Sequence, residues 1–486
     1  DLEHTLQEAV KEDKGSGCEF PQLDPFAKEA TQFDKVAPKI RCEGQDWVRC
    51  YVNILFENDF AYTIGPPTVV LNEGVYTLTK SDHATVSCMG NYKHKTAPPP
   101  GRENSLDVLI LGFDSASKNG FIRKMPKSYK FLTEELGATV MNGYNIVGDG
   151  TPAALFPILT GKTELELPDF RKISKYKGFK KQPADHYLRA LYLEARKLRI
   201  CGDNLYCMGD TLNYKMMMNI TEQLFKLDGK LFAFTFISDI THNNFNLIAV
   251  ADGDTRSFLE ALRASGRMDN TLLIVMGDHG PRYADVRNTL QGKFEERMPL
   301  MAIRLPEALK RSRPDVAAIL RNNSQVLTTP HDLHETLLDA MGLERYANHY
   351  KIRGADLTRG ISLFKPIPST RSCSEAGIEP HWCACVAWDS VSPSESIYKK
   401  AAEAFLEYIN SLTQYVRSKC VPRTLTSIEW VMRRHANRKM LAFSESKDID
   451  GFIANFNSNF KGYNAEPSCI SATHPHLNMY CYCRDQ

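Results

Sequence analysis

No run of apolar residues in the 486-residue chain approaches the ~18–20 that a membrane-crossing helix needs, so none is expected within it. No charge of one sign dominates, since 60 basic against 58 acidic side chains leave a formal net charge of +2. That balance excludes nucleic acid as the main partner, because such partners are held through a strong basic field. There is no internal repeat and no low-complexity tract. With 24% charged and 43% hydrophobic residues the chain is neither disordered, collagen-like nor a coiled coil. The C-x-x-C pairs of zinc modules are also missing, the closest cysteines being the C-x-C pairs Cys383/Cys385 and Cys481/Cys483. What remains is a globular chain with room for two to four domains of roughly 100–200 residues each.

Cysteine itself is plentiful. Thirteen are present, at 18, 42, 50, 88, 201, 207, 373, 383, 385, 420, 469, 481 and 483, crowded toward both ends. Two glycosylation sequons, Asn219-Ile-Thr and Asn322-Asn-Ser, accompany them. Together these features favour an oxidising, secretory compartment. Most cysteines are expected to pair, locally within the N-terminal region and after Cys373, with Cys201 and Cys207 bridging a small loop. The odd count leaves one thiol over. The first residue is Asp rather than Met, which fits removal of a signal or membrane-anchor segment. The chain reads as an extracellular or lumenal ectodomain.

Three regions follow from the texture. Residues 1–104 hold four cysteines and short alternating runs such as TVVLNEGVYTLT, which predict a disulfide-containing β-rich module. The stretch Lys95–Ser105, KTAPPPGRENS, is a linker, since consecutive prolines continue neither a helix nor a central strand. Residues 105–365 alternate nearly unbroken apolar runs (DVLILGFDS, KLFAFTFISD, TLLIVMGDHG) with segments of helical periodicity such as DHYLRALYLEARKLRI and DTRSFLEALRASGR. That alternation predicts an α/β core with a mostly parallel central sheet flanked by helices. Residues 366–486 form a cysteine-rich C-terminal region expected to lie on the core, with a long helix predicted over Ser394–Lys419.

In an open α/β sheet, ligands gather at the carboxyl ends of the strands. Each apolar run ends in potential metal ligands: Asp114, then Asp239 and His242, then Asp278 and His279. A single aspartate in such a place is usually a cap or turn residue; three strands ending this way, two with histidine nearby, favour a metal. Mixed carboxylate and imidazole ligands suit zinc or manganese better than calcium. A nucleophile is supplied by GDGTPAALFPILTG, where Thr151 precedes Pro152 and an apolar helical run. Thr151 is expected to cap that helix at the positive end of its dipole. A cation on the same oxygen would lower its pKa for attack on phosphorus. Arg282, Arg287 and Lys293 in PRYADVRNTLQGK are candidate partners for an anionic ester. The basic stretch Phe170–Gln182 is either a solvated face or a collector of acidic glycans or lipid head groups.

The segments LILGFDSASKNGFIRKMPKSYKFL, GDGTPAALFPILTG, FISDITHNNFN, GDHGPRYADVRNTLQGKFEERMP and LTTPHDLHETLLDAMG resemble, in order, the alkaline phosphatase superfamily. Within it they are most similar to the sulfatase-like animal ectodomain family long filed as a domain of unknown function. The resemblance spans Asp107–Phe364, with a related cysteine pattern, RSCSEAGIEPHWCAC, after it. It implies a metal held by Asp114, Thr151, Asp278 and His279. By resemblance His242 is either a histidine beside the substrate or a ligand of a second metal. Two-metal relatives space Asp and His four apart in the third motif, whereas Asp239 and His242 are three apart. A second site would draw on Asp239, His242 and His331 or His334, and the two last residues fit an ordinary helix start equally well.

The resemblance implies a metal-dependent phosphoesterase with one or two zinc ions, manganese being the other candidate cofactor. Thr151 would act through a phospho-threonine intermediate. The substrate class is a phosphate ester on a glycan, a lipid head group or a small metabolite. Two alternatives share the residues: a phosphoethanolamine-type transferase with the same nucleophile, and a non-catalytic binding ectodomain. Sulfatase activity is disfavoured, because threonine at 151 cannot become formylglycine and Pro-Ala-Ala follows it.

Overall fold

The computed structural model describes residues 2–21, 23–42, 54–58, 61–64, 105–167, 184–189, 192–193, 206–208, 211–385, 387–435, 452–458 and positions 469–470, 473–474, 477, 481 and 483. Much of the expected N-terminal module, of its linker, of the basic stretch after Phe170 and of the helix predicted from Asp185 lies outside them. The described N-terminal part holds a helix over Leu2–Asp13 and a hairpin of β1 (Ile54–Asn58) with β2 (Ala61–Ile64). That helix buries Leu6 and Val10 against Ile352. Two compact units are formed, Asp1–Ala384 and Cys385–Gln486.

The apolar runs become the centre of the first unit. β3 (Asp107–Phe113) is buried along its whole length, as expected for a strand covered on both faces. With β4 (Thr139–Val140), β7 (Phe232–Ile237), β8 (Thr271–Gly277) and β9 (Met301–Arg304) it forms a five-stranded sheet ordered β4-β9-β8-β3-β7. β3 is parallel to both β7 and β8, while β9 runs antiparallel to β8 and to β4. The sheet is thus mostly parallel, with β9 the reversed strand. A small hairpin, β5 (Cys207–Met208) with β6 (Thr211–Leu212), precedes β7.

Helices cover both faces. On one, Asp252–Ala264 begins with Asp252 and Asp254, acidic groups suited to a helix N-terminus. It buries Thr255, Phe258, Leu259 and Leu262 at helical spacing. Together with Asn213–Leu224 it packs on Leu109, Leu111 and Phe113 of β3. On the other face Val316–Asn323 and Pro330–Ala340 pack on Val108, Ile110, Ile274 and Ile303. The second unit carries an antiparallel sheet of β10 (Ala387–Ser390), β11 (Leu425–His435) and β12 (Phe452–Ser458), with a helix over Ser396–Leu412. That helix stops before Lys419, where a longer one was expected.

Three bridges join cysteines from Cys373 onward to one another: Cys373–Cys383 and Cys469–Cys483, 10 and 14 residues apart, and Cys420–Cys481, which spans 61 residues. The expected Cys201–Cys207 loop does not form. Cys207 bonds Cys42 instead, 165 residues away, tying the N-terminal segment to the hairpin before β7. Among the described residues ten cysteines are disulfide-bonded, which is the pattern of an oxidising compartment. Cys50, Cys88 and Cys201 lie outside the described residues. Thiol titration of the denatured, unreduced chain should find about one free cysteine, the odd one of that trio, and at most about three. Finding ten or more would contradict the oxidised framework.

Candidate metal centre

The strand register sets the geometry. Phe113 is paired with Ile237 on one side and Gly277 on the other. The next residues, Asp114, Ser238 and Asp278, therefore leave the sheet at one level, at its carboxyl edge. Gly277 has to be glycine, because a Cβ there would stand 2.0 Å from the Ala116 carbonyl oxygen, where the chain turns over the end of β8. Asp114, Asp278 and His279 are buried, and their ligating atoms lie within 4.8 Å of one another.

His279 Nδ1 pairs with the Gly280 carbonyl at 2.8 Å. That contact favours the tautomer whose Nε2 is free to bind a cation. Nε2 lies 3.4 Å from Asp278 Oδ2 and 3.9 Å from Asp114 Oδ1. Asp278 Oδ1 accepts the Ser115 and His279 backbone N–H groups at 2.9 and 2.8 Å, while Oδ2 is buried with no hydrogen-bond partner. Burial, and next the neighbouring Asp278, push the Asp114 carboxyl above the ordinary range. Two carboxylates out of water need a shared proton or a cation. The orphaned Oδ2, the second carboxylate and a free imidazole nitrogen suit a divalent transition metal.

Thr151, expected at the cap of its helix, lies instead in the first turn of the helix Gly150–Thr160, two positions inside the cap residue, which is Asp149. Asp149 is bound by Arg282, with Nη2 2.8 Å from Oδ1. Gly150 has φ +77°, and a Cβ on it would stand 2.4 Å from Arg282 Nη1. The guanidinium therefore lies against the start of the Thr151 helix only because residue 150 has no side chain. Arg282 belongs to the same loop as Asp278 and His279, so one ion pair ties the candidate nucleophile segment to the candidate ligand segment.

Other expected residues are placed differently. His242 is exposed, 5.3 Å between ring centres from the exposed Tyr283, and near enough to Asp114 to draw its pKa down in part. Asp239 is not in the convergent cluster. Its carboxyl is buried beside Asn213 and Tyr214 at the start of the helix Asn213–Leu224, and burial pushes it up to about 6. His331 and His334 close on the other end of the Thr151 helix. His334 Nδ1 meets the Ile158 carbonyl at 2.8 Å and its ring packs on Gly161, about 10 Å along the helix axis from Thr151. His331 is buried, and burial with Arg359 and Arg371 holds it well below the usual imidazole range. Asp332 between them completes a capping box with Thr329 and binds Arg371. The motif PHDLH is thus a packed helix start, and neither histidine joins Asp114.

Arg282 and Arg287, expected to meet an anion, already have carboxylate partners. Arg287 Nε lies 3.0 Å from Glu296 Oε2 and Arg282 Nε 3.9 Å from Glu296 Oε1. Lys293 is brought down to about 8 by burial and by Arg297 and Arg287 nearby. Three participants escaped the sequence reading: Ser115 between the carboxylates, Asp149, and Tyr283 at the rim. The adjacency of Asp149 to Gly150 and Thr151 was a usable signal; nothing in residue type marked the other two.

A family model described as "Protein of unknown function (DUF229)" matches residues 79–176 and 170–429. No curated protein matches the chain. Among solved structures, a protein in the alkaline phosphatase superfamily from Vibrio parahaemolyticus is 13% identical with a TM-score of 0.35, over 58% of this chain and 73% of its own. The integral membrane lipooligosaccharide phosphoethanolamine transferase A from Neisseria meningitidis is 12% identical with a TM-score of 0.35, over 55% and 59%. The C-terminal periplasmic domain of EcEptC from Escherichia coli, in complex with Zn, is 12% identical with a TM-score of 0.31, over 51% and 87%.

Asp239 generates a pH prediction. Its folded pKa of about 6 is raised above the ordinary 3.8. The stability it contributes is therefore present in full below the unfolded pKa and lost as pH rises through the folded one. In chelator-treated protein, chemical denaturation should show about 1 kcal/mol less stability from this group at about pH 7.5 than at about pH 5. Asp239→Asn, which fixes the uncharged form, should flatten that part of the profile; an unchanged slope would contradict the assignment.

Proposed function

The chain belongs to the family described as protein of unknown function DUF229, and we propose that it is a metal-dependent phosphoesterase of an extracellular or lumenal compartment. The observation that carries the reading is the convergence of Asp114, Asp278 and His279 at the ends of adjacent parallel strands. The Asp149–Arg282 ion pair, which joins the Thr151 segment to the same loop, supports it. The compartment is supported by the disulfide framework.

Asp114, Asp278 and His279, with Thr151, would hold the cation, zinc being the best fit to this donor set and manganese the next. When bound, such a cation supplies charge neutralisation and Lewis acidity. The chain's own residues do the rest. The Thr151 hydroxyl attacks phosphorus, forming the Thr–O–P bond as the bond to the ester oxygen breaks. The hydroxyl proton passes to the leaving alcohol, with His242 at the rim as the carrier. Water then attacks the phospho-threonine, restoring Thr151 and releasing phosphate. Lys293, whose lowered pKa still leaves it mainly charged near neutrality, neutralises the anion. Arg282 and Arg287 assist while bound to their carboxylates. Replacing water by an alcohol in the second step makes a transferase of the same residues.

Thr151→Ala tests the covalent step. Thr151 lies inside the helix and is not its cap residue, and alanine is a favourable helix residue, so the variant should fold, as circular dichroism will report. Hydrolysis of model phosphomonoesters and phosphodiesters should fall by about 10³-fold or more, and Thr151→Ser should keep part of the rate. Phosphate release compared with phosphoryl transfer to added alcohol separates hydrolase from transferase. An alanine variant working at nearly the parent rate would contradict the covalent mechanism.

A further inference from the structure

Among the described residues, Ser115 is the one non-glycine residue with positive φ, at +58°. An L-residue with a β-carbon is strained there, and such strain persists only where the surroundings hold it. Ser115 is buried between the two carboxylates. Its backbone N–H donates to Asp278 Oδ1 at 2.9 Å and its hydroxyl donates to Asp114 Oδ1 at 2.9 Å. The left-handed turn allows one residue to reach both: the chain leaves β3 at Asp114 and folds at once over the end of β8, where Ala116 meets Gly277. Glycine would adopt this turn without strain and would keep the N–H contact, but it has no hydroxyl to offer Asp114. The strained serine is therefore accounted for by what its side chain does.

The geometry points to Ser115 as the positioning residue of the metal centre, an inference that rests on the proposed metal-dependent function. By holding one oxygen of each carboxylate, Ser115 keeps Asp114 and Asp278 converged on His279 before any cation arrives. Without its hydroxyl the Asp114 carboxyl is free to turn away from its like-charged neighbour. Hydrogen bonds to ligating side chains typically change metal affinity by about 10–100-fold when removed.

Two substitutions separate the hydroxyl from the strain. Ser115→Ala removes the hydroxyl and keeps the strained β-carbon; Ser115→Gly removes both. Zinc affinity is measured on the whole protein by competition with a chromophoric chelator, and thermal unfolding is followed after chelator treatment. Both variants should bind zinc about 10–100-fold more weakly than the parent. In the metal-free state Ser115→Gly should melt higher than Ser115→Ala, because only glycine relieves the backbone. Parental affinity in both variants, or in the glycine variant alone, would overturn the role of the hydroxyl. A parent that binds no zinc, while circular dichroism shows it folded, would overturn the metal reading itself and the inference with it.

Discussion

Two carboxylates are forced together out of water, and much of the first unit follows from that constraint. The parallel register of β3 with β8 leaves Asp114 and Asp278 at neighbouring strand ends. Both are almost completely buried, at 4% and 0% exposure, where like charges cannot both persist uncompensated. The compensation present in the chain is partial. Asp278 Oδ1 receives two backbone N–H groups, Asp114 Oδ1 receives the Ser115 hydroxyl, and Asp278 Oδ2 receives nothing. A cation completes that arrangement more directly than a proton, because the nearby imidazole nitrogen also needs an acceptor for its lone pair.

Surrounding elements keep this pair in place. β9 closes the sheet beside β8, and the Leu300 N–H returns to the Ala116 carbonyl, fastening the turn that contains Ser115. On the other side of the ligand loop Arg282 reaches Asp149, and Glu296 lies behind it to share the positive charge. Arginine suits that place because its fork can address two carboxylates from one planar group. The result is a centre assembled from strand ends, a glycine-dependent helix start and one loop, each set by backbone geometry as much as by side-chain type.

The parts of the fold legible from the sequence were those governed by burial. Strands covered on both faces must be apolar throughout, so β3 and β8 announce themselves, and the carboxylates that end them stand out against them. Residues whose roles depend on tertiary pairing were harder. Cys42 and Cys207 are brought together by the fold, and no local spacing predicts it. His331 and His334 look like a ligand pair because both stand beside a helix start, yet that helix presents His334 to Gly161 and Ile158 and buries His331 near Arg359 and Arg371. Asp239 ends a strand like its neighbours but turns toward Asn213 and Tyr214. Ser115 is invisible for another reason: its role lies in a backbone angle that residue type does not report.

The central claim is that a transition metal is bound by oxygen and nitrogen at the ends of β3 and β8. X-ray absorption fine structure on protein loaded with stoichiometric zinc addresses that claim directly. The account predicts a shell of oxygen and nitrogen scatterers at about 2.0–2.2 Å, with the outer-shell pattern of one imidazole. Sulfur scatterers at about 2.3 Å would instead put the ion on the cysteines and contradict the account.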